Sequence, residues 1–526
     1  MQSWFTFELD GSECRVEKED THCSLASFLS GLDLTFQRFA EHDAWNGGSL
    51  VVMGDLEGDR HRFRVIDAGL ILLPMLAGRQ IWTPEGIRST EPDHPVNLAL
   101  EGGHFECSDD RNASLTALIF EGYYRPDLRR QGQTSDQFDS VIAHTANVPA
   151  IRDAAAQVFA STEQLRHEAA IKAERSGQES TVWTGRRDIF GDRFTKQLFK
   201  MKDKSPLSYV DDRKRRFYQP GTIVELLKLK KQYPDSRFVA GATEIGRLSA
   251  EVEWPSLISL EGVKELNSSI TTEESWEIGA AVPLTQVAEL IGRECVAFTK
   301  ILRRFASRAI RNRATLGGYL ATAWPRGQLS PLLMALNARV LLLSEDGERN
   351  APISQFYTEK GGTILSPGEI VRSVIIPRST DSALAARGVT ASICDTYTSA
   401  PRRSLAEPYA TAAFCFELRD RVIAKARLAY TGIGDAPLRA REVEEFLAGK
   451  LYQEKTIFAA LPLLIETVEV SDAAGDHAEY RKTLTATLLQ KFFFQHPTPE
   501  SIRATELTAA GDFAKLDHPF FDAVAP

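Results

Sequence analysis

The sequence predicts a multidomain α+β protein, and three observations carry that prediction. The chain has 526 residues, 43% of them hydrophobic, enough for several packed cores of about 100–200 residues each. Its beginning alternates apolar and polar positions as half-buried strands do, whereas later stretches return apolar residues at helical spacing. Between residues 161 and 212 charge is dense and core residues are few, the composition of a segment that joins domains.

The opening run from Trp4 to Leu9 alternates, meets Asp10 and Gly11, and alternates again through Val16. That is a hairpin turned by Asp-Gly. Ser24 is placed to cap a helix carrying Leu25, Phe28, Leu29 and Leu32. A strand from Ser49 to Met53 and an alternating run from Arg62 to Ile66 complete a small mixed sheet over about residues 1 to 85. From His94 to about Ala160 the spacing is helical, as in Leu98 and Leu100 and again in Leu115, Leu118 and Ile119.

Past the charged segment, Pro220 and Gly221 open a helix with Ile223, Leu226, Leu227 and Leu229, and a strand–helix region follows to about Pro377. It includes a second hairpin turned by Asp346 and Gly347. A loop from Thr396 to Ala406 separates it from strands near Ala410–Glu417 and Ile423–Tyr430. Helices then dominate to about residue 495, and a tail is expected at the end.

Composition narrows the function. There are 62 Lys+Arg against 71 Asp+Glu, a formal charge of −9, which argues against nucleic acid as a partner. No apolar run approaches the roughly 20 residues that span a bilayer, and the strand-like opening is unlike a secretion signal. The six cysteines, at 14, 23, 107, 295, 394 and 415, form no CxxC or CxC pair. We therefore expect neither a disulfide framework nor a thiolate metal cage, and a reduced, cytoplasmic setting. All ten histidines lie at or before His167 or at or after His477. Chemistry in the central region must come from a bound cofactor, because the usual acid/base side chain is missing there and no G-x-S-x-G elbow, HExxH or P-loop is present.

Two central segments are candidates for binding such a cofactor. The run Arg237 to Gly246 reads as a short strand that ends at Gly241 and turns at once into a helix beginning near Thr243 and Glu244. Such a turn offers free N–H groups and close approach to a phosphate, though the same turn also occurs with no ligand at it, and GxGxxG is absent. The second runs from Arg311 to Gly318, where paired glycines follow Thr315. For Arg308, Arg311 and Arg313 a solvated helix face is the expected place for at least two.

Taken together, FVAGATEIG (238–246), RNRATLGGYLATAWPRGQLSPLLMAL (311–336) and the stretch from Thr363 to Glu369 resemble the flavin domain of molybdenum hydroxylases of the xanthine dehydrogenase type. ARLAYTGIGDAPLRAREVEEFLAGK (426–450) and AEYRKTLTATLLQKFF (478–493) are similar to the domain that follows it. The first 160 residues, through LVVMGD, FRVIDAGLILLPMLAGRQIWTPEGI and HPVNLAL, resemble the two iron–sulfur domains of that family.

The resemblance implies a degenerate β-grasp ferredoxin-like module over 1–85, a degenerate helical [2Fe–2S]-type module over 86–160 and a linker over 161–212. An α/β FAD-binding domain of the PCMH type over 213–385, an α+β flavoprotein C-terminal domain over 386–500 and a tail over 501–526 follow. The family's first-cluster cysteines match Glu41, Asn46, Ser49 and Gly69; those of the second match His104, Cys107, Ile142 and His144. Such a set cannot supply four ligands per cluster, so both clusters are expected to be absent. No metal is assigned, and zinc at His104, Cys107 and His144 stays open for want of a fourth ligand.

For FAD, the resemblance carries over Phe238, Val239, Ala240, Gly241, Ala242, Thr243, Glu244 and Ile245 at the diphosphate turn, then Phe305, Thr315, Gly317, Gly318 and Leu365. Tyr319 and Gln328 stand where the family usually has Asn and Asp, and Ser399 to Ser404 where it often has a Ser-Arg-Arg run. The implied function is the FAD-binding subunit of a molybdenum-hydroxylase-like oxidoreductase that passes electrons to NAD or another acceptor. A separate molybdopterin-binding subunit, and possibly a ferredoxin-like one, would be its partners. A non-catalytic scaffold or assembly paralogue, or a stand-alone flavin enzyme, are the other readings.

Overall fold

The computed structural model of the chain describes residues 1–32, 49–57, 60–101, 109–125, 136–142, 148–175, 188–201, 206–249, 251–402, 406–470 and 477–497. The tail expected over 501–526 lies outside them. The architecture is mixed α+β and multidomain. Two compact units divide it: Met1–Ser268 with Ala281–Gln286 and Ala306–Gly318, and Ser269–Ala280 with Val287–Phe305 and Tyr319–Pro526.

In the first unit, β1 (Trp4–Leu9) and β2 (Ser12–Glu17) pair antiparallel around Asp10 and Gly11. Both turn residues have positive φ, 49° and 79°, as a two-residue hairpin turn of the favoured hand requires. With β3 (Leu50–Glu57), β4 (Arg60–Asp67) and β5 (Gln80–Trp82) they form a sheet in the order β2-β1-β5-β3-β4, in which β1 and β5 run parallel. Period-2 alternation buries both faces. Leu50, Val52, Phe63 and Val65 join a core with Leu115, Leu118, Ile119 and Phe120 of the helix Asp109–Tyr124. Val51, Met53 and Ile66 join Phe5, Phe7 and the helix Leu25–Ser30, which Ser24 caps.

That second core runs on into another sheet, formed by β6 (Leu207–Val210), β7 (Arg216–Gln219), β8 (Arg237–Val239) and β9 (Ser256–Ser259) in the order β6-β7-β9-β8. Here β9 pairs parallel with both β7 and β8. The segment 161–212 differs from the surface linker expected from its charge. The helix Val148–Arg175 runs into it, and the helix Arg193–Leu198 buries Phe194 and Leu198, Phe194 edge-on to Trp82 at 4.7 Å. A few well-placed apolar side chains suffice to dock a short helix, and segment-wide composition hides them.

The second unit contains an antiparallel sheet of β10 (Ser269–Thr271), β11 (Ser275–Gly279), β12 (Arg339–Ser344), β13 (Gly347–Pro352) and β14 (Ile370–Pro377), in the order β10-β11-β14-β12-β13. A separate antiparallel meander follows: β15 (Ala391–Ser399), β16 (Ala410–Arg419), β17 (Val422–Thr431) and β18 (Leu438–Arg439). Phe414, Phe416, Leu428 and Tyr430 pack there with Leu489, Phe492 and Phe493 of the helix Ala478–Gln495. β15 reaches Ser399, so the loop expected from Thr396 starts only after Ser399.

The cysteine expectation is corrected. Cys394 and Cys415 face each other in the β15–β16 register and form a disulfide. Their sequence separation of 21 residues shows no motif; only strand pairing makes them neighbours. Among the described residues Cys14, Cys23 and Cys295 take part in no disulfide.

Candidate functional site

The first candidate turn lies in the first unit, where β8 ends at Val239 and the helix Thr243–Leu248 begins. At Gly241 an added Cβ would stand 1.7 Å from the Arg313 carbonyl oxygen, so only glycine fits. Ala242 takes a left-handed conformation, φ 68°, as the residue before the helix, a strained state for a side-chain-bearing residue. Val239, Ala242 and Ile245 are buried in the core. Phe238, Ala240, Thr243 and Glu244 are half-buried and keep surface to offer a ligand. Glu244 is engaged by Arg247 at 2.7 Å.

The second candidate segment lies beside it. A Cβ on Gly318 would stand 3.9 Å from Cβ of Ala240, and Arg313 Nε donates to the Gly241 carbonyl at 3.3 Å. Thr315 Oγ1 accepts from Gly318 N at 3.1 Å, opening the helix Leu316–Ala321. Backbone bonds from Leu284 to Ala314 and from Leu316 to Val282 fix the segment on either side of Thr315. The folding of this unit thus brings together two glycine-bearing turns that are more than seventy residues apart in sequence.

The arginines of this segment are not on a solvated face. Arg308, Arg311 and Arg313 are only 7%, 3% and 4% exposed. Arg308 pairs with Glu121 at 3.2 Å, Arg311 with Asp136 at 2.6 Å, and Arg313 with Glu261. Burial alone would raise the Glu261 carboxyl, but Arg313 and Arg79 beside it bring it down to about 2. Sequence reasoning missed Glu261. The one available signal was a lone carboxylate almost immediately after the fully buried strand β9.

In the second unit, Phe305 packs edge-on against Tyr319, ring centres 5.5 Å apart. The Tyr319 hydroxyl accepts from the backbone N–H groups of Leu329 (3.0 Å) and Ser330 (2.9 Å), and shares a hydrogen bond with Ser330 Oγ, which also meets the Tyr357 hydroxyl. The phenol therefore closes the N-terminus of the helix Leu329–Ala335. Burial pushes its pKa up to about 12. Next to it Gln328 is 6% exposed, and its Oε1 is buried without a donor. Leu365 is half-buried, its N–H donating to Thr363 Oγ1.

Of the positions matched to iron–sulfur cysteines, Ser49 is fully buried with Oγ unbonded, and the Gly69 N–H is held by Asp67. Ile142 ends the short helix Asp139–Ile142. Glu41, Asn46, His104, Cys107 and His144 lie outside the described residues.

Residues 213–379 match the family described as the FAD binding domain in molybdopterin dehydrogenase, and residues 395–495 match the CO dehydrogenase flavoprotein C-terminal domain. The chain is 32% identical over 294 residues to xanthine dehydrogenase/oxidase of Gallus gallus, covering 52% of this chain and 21% of that protein. It is 24% identical over 547 residues to xanthine dehydrogenase of Emericella nidulans, covering 95% of this chain and 39% of that one. Against the solved quinoline 2-oxidoreductase of Pseudomonas putida 86 the identity is 26% and the TM-score 0.47, over 53% of this chain and 94% of that chain. The chain thus spans well under half the length of these curated relatives. The matched domains define the class of the matched region, an FAD-binding domain followed by a flavoprotein C-terminal domain. More particularly, the curated relatives it resembles are xanthine dehydrogenases.

The residues fit FAD by two structural tests. The turns at Gly241 and Gly318 lie side by side, with Cβ of Ala240 3.9 Å from where a Cβ on Gly318 would stand. The orphaned Gln328 Oε1 is a buried acceptor of the kind a ligand hydroxyl satisfies. Tyr319 does not add a free donor, because its hydroxyl is committed to the helix beside it.

Proposed function

We propose that this chain is the FAD-binding subunit of a molybdenum-hydroxylase-like oxidoreductase, that it delivers electrons to NAD or another acceptor, and that it holds no iron–sulfur cluster of its own. The observation that supports it best is the juxtaposition of the turns at Gly241 and Gly318 inside the first unit, within the residues that match an FAD-binding family. The cofactor contacts proposed are Phe238 to Ile245, Thr315, Gly317, Gly318, Phe305, Gln328 and Leu365. Tyr319 serves beside them by holding the Leu329–Ala335 helix next to Gln328.

Bound FAD would supply the redox chemistry, and the protein the binding, orientation and electrostatics. The Arg313 carbonyl fills the place a Gly241 side chain would take, Arg313 keeps the turn in place through the Gly241 carbonyl, and Gln328 Oε1 would accept a ligand hydroxyl. The replacement of matched thiolate positions by Ser49 and Gly69 supports the loss of the first cluster, since a thiolate is the ligand this cluster type uses. Electrons would then reach the flavin from clusters on a ferredoxin-like partner, with substrate oxidised on a separate molybdopterin-binding subunit. Among the described residues no helix is long and apolar enough to cross a membrane. The proposed setting is the cytoplasm.

The test is to purify the chain, record its visible spectrum, extract flavin with acid and assay iron on the same sample. A yellow protein with stoichiometric FAD and no stoichiometric iron is the expected result. A colourless protein that takes up no added FAD would replace this reading with the scaffold one.

A further inference from the structure

The residues matched to lost iron–sulfur modules are tied to the flavin turns by buried charges. Arg79, which leads into β5, is 1% exposed. Its NH1 meets Asp55 Oδ2 of β3 at 3.0 Å, and its NH2 pairs with Glu261 Oε1. The same Glu261 oxygen pairs with Arg313 NH1, and Arg313 Nε donates to the carbonyl of Gly241. Charges alternate from Asp55 to Arg79 to Glu261 to Arg313, and the series ends on the backbone of the first turn.

Two further connections act on the same elements. The helix after the turn touches the N-terminal module backbone to backbone: a Cβ on Gly246 would stand 2.4 Å from the Leu70 carbonyl oxygen. Leu70 directly follows Gly69, one of the positions matched to a cluster cysteine. The segment leading to Thr315 is held by Glu121 and Asp136 through Arg308 and Arg311. Asn312 Nδ2 donates to the Val65 carbonyl at 2.7 Å, and Arg64 reaches Asn312 Oδ1 and Thr285 Oγ1.

An apolar contact would cover the turns without fixing their rotation. Buried ion pairs are often no more stabilising than a hydrophobic replacement, but they are directional, and breaking one leaves a buried charge unpaired. We propose that the N-terminal modules act as an internal brace for flavin binding, with Arg79 a positioning residue that sets the turn at Gly241 through Glu261 and Arg313. This rests on the functional reading above and gives residues 1–160 a role within it. The depressed Glu261 carboxyl agrees with a continuously charged network.

The test titrates FAD into the flavin-stripped full-length chain, following the quenching of flavin fluorescence, with circular dichroism and thermal midpoint measured on each variant. Arg79→Met should weaken FAD binding about tenfold, Arg79→Lys should restore most of it, and Arg79→Met with Glu261→Gln should be no weaker than Glu261→Gln alone. Asp55→Asn loosens only the far end of the series, and should weaken binding by a smaller factor if Arg79→Met does not fold. Variants that bind FAD like the wild type while their thermal midpoints fall would make the network purely structural and overturn the inference. A wild-type chain that takes up no FAD overturns the functional reading itself, and the inference with it.

Discussion

At His94 the backbone N–H of Val96 donates to Nδ1, which leaves Nε2 as the protonated nitrogen facing the Tyr124 hydroxyl at 3.1 Å; Tyr124 in turn donates to Asp192. Phe120, Tyr123 and Phe194 surround the ring. Burial lowers its pKa from 6.5 to about 4. As pH falls from 6.5 to about 4 the unfolded chain takes up a proton that the folded chain refuses, so stability is lost across that window, by about 3 kcal/mol at most. Denaturant unfolding from pH 7 to pH 4 should show this slope in the wild type and a flatter one in His94→Gln. Glu261 acts in the same direction at lower pH: its folded pKa of about 2 lies below the ordinary 4.5, so its contribution is present above 4.5 and lost below it. Neither state was legible in the sequence. A histidine or a glutamate carries no local mark of burial, and at least two of Arg308, Arg311 and Arg313 were expected in solvent for the same reason.

The turn from β8 into the Thr243–Leu248 helix shows what an element's local pattern reveals. A short strand ending in a small-residue turn is readable, because strand length, glycine and a helix start are all local signals. The reason for Gly241 is not, since the atom that excludes a side chain there is the Arg313 carbonyl. Gly241→Ala should cost about 4 kcal/mol or more, the range of severe backbone conflicts. Gly31→Ala should stay within about 0.5 kcal/mol, because its Cβ would meet only Phe28 O at 3.4 Å and its φ is −80°. Thermal and denaturant midpoints of the two variants check the contrast. The hairpins at Asp10–Gly11 and Asp346–Gly347 were equally readable, as turn chemistry sets register over a few residues. The Arg193–Leu198 helix was not, with its two core residues set in a run of charge.

Across the first unit, cores do not follow the divisions suggested by composition. One hydrophobic cluster runs from Phe5 and Phe7 through Met53 and Leu73 to Tyr209, Phe217, Val239 and Leu257. The N-terminal sheet and the sheet that carries the first turn therefore share an interior. A chain shortened to residues 206–526 loses most of that core and the carboxylates opposite Arg308 and Arg311. Uncompensated buried charges cost several kcal/mol each, so the shortened chain should aggregate on expression and give no cooperative melting transition. A soluble fragment with a sharp melt would show that the flavin domain folds without the modules.

By itself the sequence determined the α+β class, the two hairpins, the turn after β8 and the glycine pair at Gly317 and Gly318. All are local patterns: periodicity, turn residues and motif spacing. Tertiary structure alone decided that Cys394 faces Cys415, that Tyr319 closes a helix N-terminus, and that the arginines are buried. It also joined Arg79 to Glu261 and Arg308 to Glu121, partners 182 and 187 residues apart. Such pairings are set by which surfaces the packed sheets and helices bring into contact, and no window of neighbouring residues contains that information.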